Sequence, residues 1–188
     1  MAKVKKILAI GDSITYGFPY TPHSSWVHLA GKQLDIPIIN KGVNGDTTAG
    51  MLERFSRDVV HYVPSQVIIM GGTNDACAGI AVDEVNDNIR QMLELAAQYE
   101  IIPVIGLPIP CNYSKDEGIL SLYREEMRQY GVVNKLLVID FYSAFVEANS
   151  RRPKIELYAD VLHPNKEGYK TMAQVALASL KDDGCYKK

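Results

Sequence analysis

The chain has 188 residues, 47% hydrophobic and 22% charged, which suits one domain able to bury a full core. Its net charge is -2 and its 20 basic residues are scattered, so no electrostatic footprint for nucleic acid or an anionic membrane surface is expected. No stretch approaches the length of a membrane span, and the apolar run Ile7 to Ile10 behind the basic start is too short for a signal-peptide core.

That run is the first expected strand, and it ends in Gly11-Asp12-Ser13. A helical crossover near 23–34 leads to a second strand, Ile36 to Ile39, followed by Asn40-Lys41-Gly42-Val43-Asn44-Gly45-Asp46-Thr47 and a second crossover near 47–62. The third strand, Val67 to Met70, runs into Gly71-Gly72-Thr73-Asn74-Asp75. Residues 83–100 place Val85, Ile89, Met92, Leu93 and Ala96 on one helical face. A fourth strand is set at Val104 to Leu107, starting after Pro103 because a central strand cannot spare an N–H. A crossover near 116–130, a fifth strand at Leu136 to Ile139 and a helix at 165–181 complete the series.

Short runs rich in Ile and Val, separated by helical segments, are the pattern of a parallel sheet covered on both faces. The expectation is an α/β fold: a three-layer α/β/α sandwich with a five-stranded parallel sheet of order 2-1-3-4-5, formed by residues 1–188 as one domain. No repeat, low-complexity tract or linker divides the chain. The three cysteines, Cys77, Cys111 and Cys185, are widely spaced without a CxxC pair, so reduced thiols and a cytoplasmic setting are expected.

In sheets of this order a ligand site lies beyond the carboxyl ends of strands 1 and 3. The Gly-Asp-Ser, Asn-Gly-Asp-Thr and Gly-Thr-Asn-Asp segments would then be neighbours, with Ser13 central. A serine hydroxyl needs a base to take its proton, and the base needs an acid to orient it. Of the four histidines, His23, His28 and His61 fall in or beside crossovers, where exposed or core-edge positions are expected. His163 instead lies in Asp160-Val161-Leu162-His163-Pro164-Asn165, where the aspartate can fold back to Nδ1 and leave Nε2 for Ser13. Oxyanion donors could come from the Ser13 and Gly45 N–H groups and the Asn74 amide, although Gly45 and Asn74 also read as plain turn residues. No G-x-S-x-G elbow and no nucleotide-cradling glycine loop is present.

These four segments, in order from residue 11 to residue 165, make the chain resemble the GDSL, or SGNH, hydrolase family of serine esterases and lipases. Gly45 aligns with the glycine of the second block because Asp46-Thr47 follows it directly, with Gly42 as the nearby competitor. Leu107-Pro108-Ile109-Pro110-Cys111-Asn112-Tyr113 is most similar to the bacterial thioesterase I and lysophospholipase L1 branch, while the Thr73 of Gly-Gly-Thr-Asn-Asp is shared with sugar-ester branches. The resemblance implies Ser13 as nucleophile, His163 as base and Asp160 as its orienting acid, with an oxyanion hole from Ser13, Gly45 and Asn74. It implies a small-molecule acyl ester or thioester as substrate and no cofactor. Asp12 and Asp75 are the other acids near the site. With no residues left for a lid, the acyl pocket is expected from the loops 14–20, 76–80 and 108–113 with Val161 and Leu162, lined by Phe18, Tyr20, Ile109 and Tyr113. Short or medium acyl chains would fit it. A carbohydrate O-acetylesterase with the same machinery and a non-catalytic flavodoxin-like binding module are the competing readings.

Overall fold

The computed structural model describes residues 6–151 and 156–182, so Cys185 lies outside the described residues. The chain runs β1 (Ile7–Gly11), α1 (Ser13–Tyr16), α2 (Trp26–Leu34), β2 (Ile38–Gly42), α3 (Thr48–Glu53), α4 (Phe55–Asp58) and β3 (Gln66–Met70). It continues through α5 (Thr73–Ala78), α6 (Val82–Gln98), β4 (Ile102–Leu107), α7 (Ser114–Val133), β5 (Leu137–Asp140), α8 (Phe141–Arg151) and α9 (Lys166–Asp182). The five strands form one parallel sheet in the order β2-β1-β3-β4-β5, the order expected from the doubly wound pattern.

Alternation along each strand divides the core in two. Ile7 and Ala9 of β1, Ile68 and Met70 of β3, Val104 of β4 and Ile139 of β5 pack with Trp26, Ala30, Phe145, Tyr169, Met172 and Ala176 from α2, α8 and α9. Leu8 and Ile10, Val67 and Ile69, and Ile105 and Leu107 pack on the other face with Met51, Phe55, Ile89, Met92, Tyr123 and Met127 from α3, α4, α6 and α7. Each fully buried Val, Leu, Ile, Phe or Met among them contributes about 1.5–3 kcal/mol from apolar burial. The sheet is thus covered on both faces, which explains why its strands read as unbroken apolar runs.

Several boundaries differ from the sequence expectation by a residue or more, and three of the differences have a structural reason. Pro103 lies inside β4, paired with Val67 of β3, whereas pairing with β5 begins only at Val104 and Leu137. Ile102 already donates its N–H to Ser65 on the β3 side at 3.1 Å. Pro103 therefore faces the side where no strand yet runs, and its missing N–H forfeits no ladder bond. The second strand spans Ile38–Gly42 rather than 36–39, because Asn40 and Lys41 join it in register with Ala9 and Ile10. The segment 47–62 is two short helices and a tight turn at Val60–Tyr62. Helices at Thr73–Ala78 and Phe141–Arg151 add to the expected elements.

At Gly42 the structure requires a bare backbone: a Cβ there would fall 2.1 Å from the Tyr16 nitrogen and 2.6 Å from its Cα. Since these are backbone atoms of α1, Gly42→Ala is expected to push that helix off β2 and cost about 1–3 kcal/mol by overpacking. Chemical denaturation measures this; an unchanged midpoint would contradict the close approach.

Candidate active site

Ser13 opens α1 at the carboxyl end of β1. Asp12 caps the helix by accepting the Ile14 N–H at 2.8 Å. One turn later Gly17, at φ 113°, closes it by donating its N–H to the Ser13 carbonyl at 2.9 Å. Only glycine adopts that left-handed stop without strain. Asn40 on β2 holds the helix from the side, its amide donating to the carbonyls of Thr15 at 2.8 Å and Tyr16 at 3.3 Å. As first residue of its helix, Ser13 has an N–H with no intrahelical acceptor.

The loop before α9 brings the histidine back across the chain. Ala159 donates to the His163 carbonyl at 2.8 Å and Asn165 to the Leu157 carbonyl at 2.9 Å, closing a tight turn. Asn165 then accepts from the Glu167 and Gly168 N–H groups at 2.9 and 3.0 Å, which starts α9 directly after Pro164. Within the turn, Asp160 Oδ1 accepts the backbone N–H groups of Leu162 and His163 at 2.8 and 2.7 Å. Its Oδ2 lies 2.8 Å from His163 Nδ1, and His163 Nε2 lies 3.0 Å from Ser13 Oγ. The sequence-predicted Ser13, His163 and Asp160 thus form one hydrogen-bonded line. Partial burial raises the Asp160 pKa, but the two backbone N–H groups and the imidazole outweigh it and hold the carboxyl below its ordinary value. His23, His28 and His61 are all exposed, as expected.

The expected donors differ in setting. Gly45, at φ 76°, sits in an exposed turn closed by the Asp46 N–H on the Val43 carbonyl at 3.2 Å. No atom lies within 4 Å of where its Cβ would be. Its competitor Gly42 ends β2 with its N–H already donated to Asn40 Oδ1 at 2.9 Å. Asn74, near the start of α5, donates one amide hydrogen to the Asp46 carbonyl at 2.8 Å, leaving a second available. Thr47 caps α3 by accepting the Gly50 N–H at 3.3 Å.

Of the residues expected to line an acyl pocket, Phe18 lies beside the site, its ring centroid 4.5 Å from that of His163. Its carbonyl accepts the Tyr169 hydroxyl at 2.6 Å. Tyr113 and Val161 are exposed, and the Asn112 N–H on the Val161 carbonyl at 3.1 Å joins their two loops. Ile109 is different: it is buried in the core on the α2, α8 and α9 side of the sheet, so it is not a lining residue. Tyr20 likewise packs against the core and Tyr169. Burial, with Asp116 alongside, pushes the Cys77 thiol up to about 11, and burial also raises Cys111, so neither is an activated thiolate.

The two other acids near the site are engaged elsewhere. Asp75 accepts the Thr48 N–H at 3.1 Å and its hydroxyl at 2.6 Å, anchoring α3 to α5. Asp12 is 1% exposed, and burial pushes its pKa from 3.8 up to about 7. Raising a carboxyl pKa on folding costs nothing below the unfolded value, costs progressively more as pH rises from 3.8 towards 7, and levels off above that. Asn caps helices as well as Asp does without the buried charge. Asp12→Asn is therefore expected to raise the unfolding temperature by several degrees at pH 8 and by much less near pH 4. A gain equal at both pH values would show that the charge is not the cause.

Known proteins are similar to this chain in sequence and in fold. The chain is 30% identical over 118 residues to Esterase TesA of Pseudomonas aeruginosa, an alignment covering 60% of this chain and 59% of that protein. The matched region is therefore less than two thirds of that relative's length. It is 25% identical to an acetylxylan esterase of Geobacillus stearothermophilus, with 94% of each covered. A solved G-D-S-L family structure from Desulfitobacterium hafniense, described as a putative lipolytic protein, superposes with a TM-score of 0.85 at 33% identity, covering 93% of this chain and 99% of that one. Residues 9–171 match the model of the GDSL-like Lipase/Acylhydrolase family, and the chain belongs to that family as a carboxylic ester hydrolase.

Proposed function

We propose that the chain hydrolyses small carboxylic esters by two-step acyl transfer through Ser13. The observation that carries this is the unbroken line from Asp160 through His163 to the Ser13 hydroxyl, with Nε2 at 3.0 Å. Ser13 Oγ attacks the carbonyl carbon while His163 Nε2 takes its proton; Asp160 fixes the ring with Nδ1 protonated and stabilises the imidazolium that forms. The C–O bond to the leaving group then breaks as His163 delivers that proton to the departing alcohol. Water, deprotonated by His163, attacks the acyl-enzyme and returns Ser13 to its hydroxyl form, releasing the acid. The N–H groups of Ser13 and Gly45 and the Asn74 amide hold the oxyanion in both steps. A thioester enters the same cycle with a thiol leaving.

Exposure favours small acyl groups. Asp160 is 43% exposed, Gly45 is open, the Phe18 ring lies against His163, and Phe18, Val161 and Tyr113 are exposed. Such a rim covers a short or medium chain. A second reading, deacetylation of carbohydrate esters, is supported by the acetylxylan esterase relative aligned along 94% of both chains.

Ser13→Ala is expected to abolish turnover of p-nitrophenyl acetate while the circular dichroism spectrum stays native; retained turnover would remove Ser13 as nucleophile. Asn74→Ala should lower kcat by about 10² to 10³, the usual effect of losing one oxyanion donor, and a loss under threefold would remove Asn74 from the hole. Across p-nitrophenyl esters of increasing length, kcat/KM should peak at short to medium chains, and preference for the longest would overturn the size assignment. Acetylated xylo-oligosaccharides in the same assay separate the second reading from the first.

A further inference from the structure

Arg54 directly follows α3, and its side chain is only 8% exposed, an unusual place for a guanidinium. Its fork makes four hydrogen bonds. Nη2 donates to the Gly11 carbonyl at 2.9 Å, Nη1 donates to the Lys41 carbonyl at 2.9 Å and to Asp58 at 3.2 Å, and Nε donates to Asp46 Oδ2 at 2.7 Å. Two of these acceptors end neighbouring strands of the sheet, and a third lies in the loop beyond β2. Gly11 directly precedes the Asp12-Ser13 pair, and its carbonyl also accepts the Val43 N–H at 3.0 Å. Asp46 directly follows Gly45, and its own carbonyl receives the Asn74 amide at 2.8 Å.

We propose that Arg54 is a positioning residue for the reaction, registering the Ser13, Gly45 and Asn74 donors against one another by tying the ends of β1 and β2 to Asp46. The inference rests on the oxyanion role proposed above. Three donors that must converge on one oxygen come from three separate loops, and adjacency of strands alone leaves each loop free to shift. A planar guanidinium with several donors in fixed directions removes that freedom, whereas an ammonium group, a single point charge on a flexible stem, cannot hold these partners in one plane. A buried guanidinium is a poor source of stability, because desolvation offsets much of its attraction to carboxylates. What the fork supplies here is geometry, since small displacements of catalytic groups carry large rate penalties.

The test is a double-variant cycle on ester hydrolysis with Arg54→Gln and Asn74→Ala. Arg54→Gln is expected to lower kcat by about 30-fold or more with KM changed less than threefold. If Arg54 acts through the donors, the double variant loses at most about threefold beyond the poorer single variant, because the two effects share a route. Losses that multiply in full, or a kcat for Arg54→Gln within threefold of the unmodified protein, overturn the proposal. If Arg54→Gln does not fold, Asp46→Asn removes one end of the same link while keeping the shape of the side chain. It should lower kcat about tenfold, again without multiplying with Asn74→Ala; a multiplied loss or an unchanged kcat counts against Arg54 equally. Asn74→Ala with undiminished kcat overturns the oxyanion reading itself and this inference with it. A large Asn74 effect with multiplying losses overturns the role of Arg54 alone.

Discussion

The site depends on one contact, the 3.0 Å hydrogen bond between Ser13 and His163, groups separated by 150 positions in the chain. Nothing local brings them together. Ser13 is carried by the end of β1, an interior strand between β2 and β3, and His163 by the loop that opens α9. Their meeting therefore depends on how α9 docks. Tyr169, Met172, Ala173, Ala176 and Leu180 bury one face of that helix with Trp26, Val27 and Ala30 of α2. The Tyr169 hydroxyl then reaches the Phe18 carbonyl at 2.6 Å, coupling the first turn of α9 to the chain just beyond Ser13. Apolar burial sets where the helix lies, and the hydrogen bond sets its rotation against the turn that carries Ser13.

The acids divide by the same logic. Asp160 is the most exposed of those near the site, yet it is the one in contact with His163. Exposure suits its role, because water and two backbone N–H groups keep its carboxyl ionised without a large desolvation cost. Asp12 and Asp75 are buried and serve as braces, one for the helix bearing Ser13 and the other for the helix start at Thr48. A buried carboxylate held by backbone donors fixes a loop well. It orients a histidine poorly if its pKa has risen to about 7, as for Asp12, since a neutral acid does not stabilise an imidazolium.

How much of this the sequence carries follows from the range of each interaction. The sheet is readable because burial on both faces turns every strand into an apolar run, and the strand order comes with the doubly wound pattern. The Asp160-to-His163 contact is readable because it closes within one turn of chain. α8 is hidden because it follows β5 without a break, so Phe141 and Phe145 carry the apolar run onward without a turn signal. Pro103 misleads because its tolerance depends on where β5 begins, a fact of tertiary structure. Arg54 and Asn40 leave no signal at all: a lone arginine and a lone asparagine gain their roles only once β1, β2 and the α1 turn are adjacent. Ile109 fails as a pocket residue for the converse reason, since the loop after β4 turns it inward into the core.

Charge balance beneath the donor loops explains why a cation belongs there. Beyond the effect of burial, the Asp75 and Asp46 charges push the Asp12 pKa up, and Asp46 does the same to Asp75. On the proposed mechanism, the loops that receive a developing oxyanion therefore lie close to three carboxyl groups. Left fully ionised, that cluster would oppose negative charge on the substrate oxygen. Two features reduce the opposition. Burial favours the neutral form of Asp12, and the Arg54 guanidinium stands directly on Asp46 at 2.7 Å. Asp75 keeps the Thr48 N–H and hydroxyl turned towards it. On the proposed mechanism, the dipoles that face the oxyanion are the backbone N–H groups and the Asn74 amide, while these acids hold the loops in place.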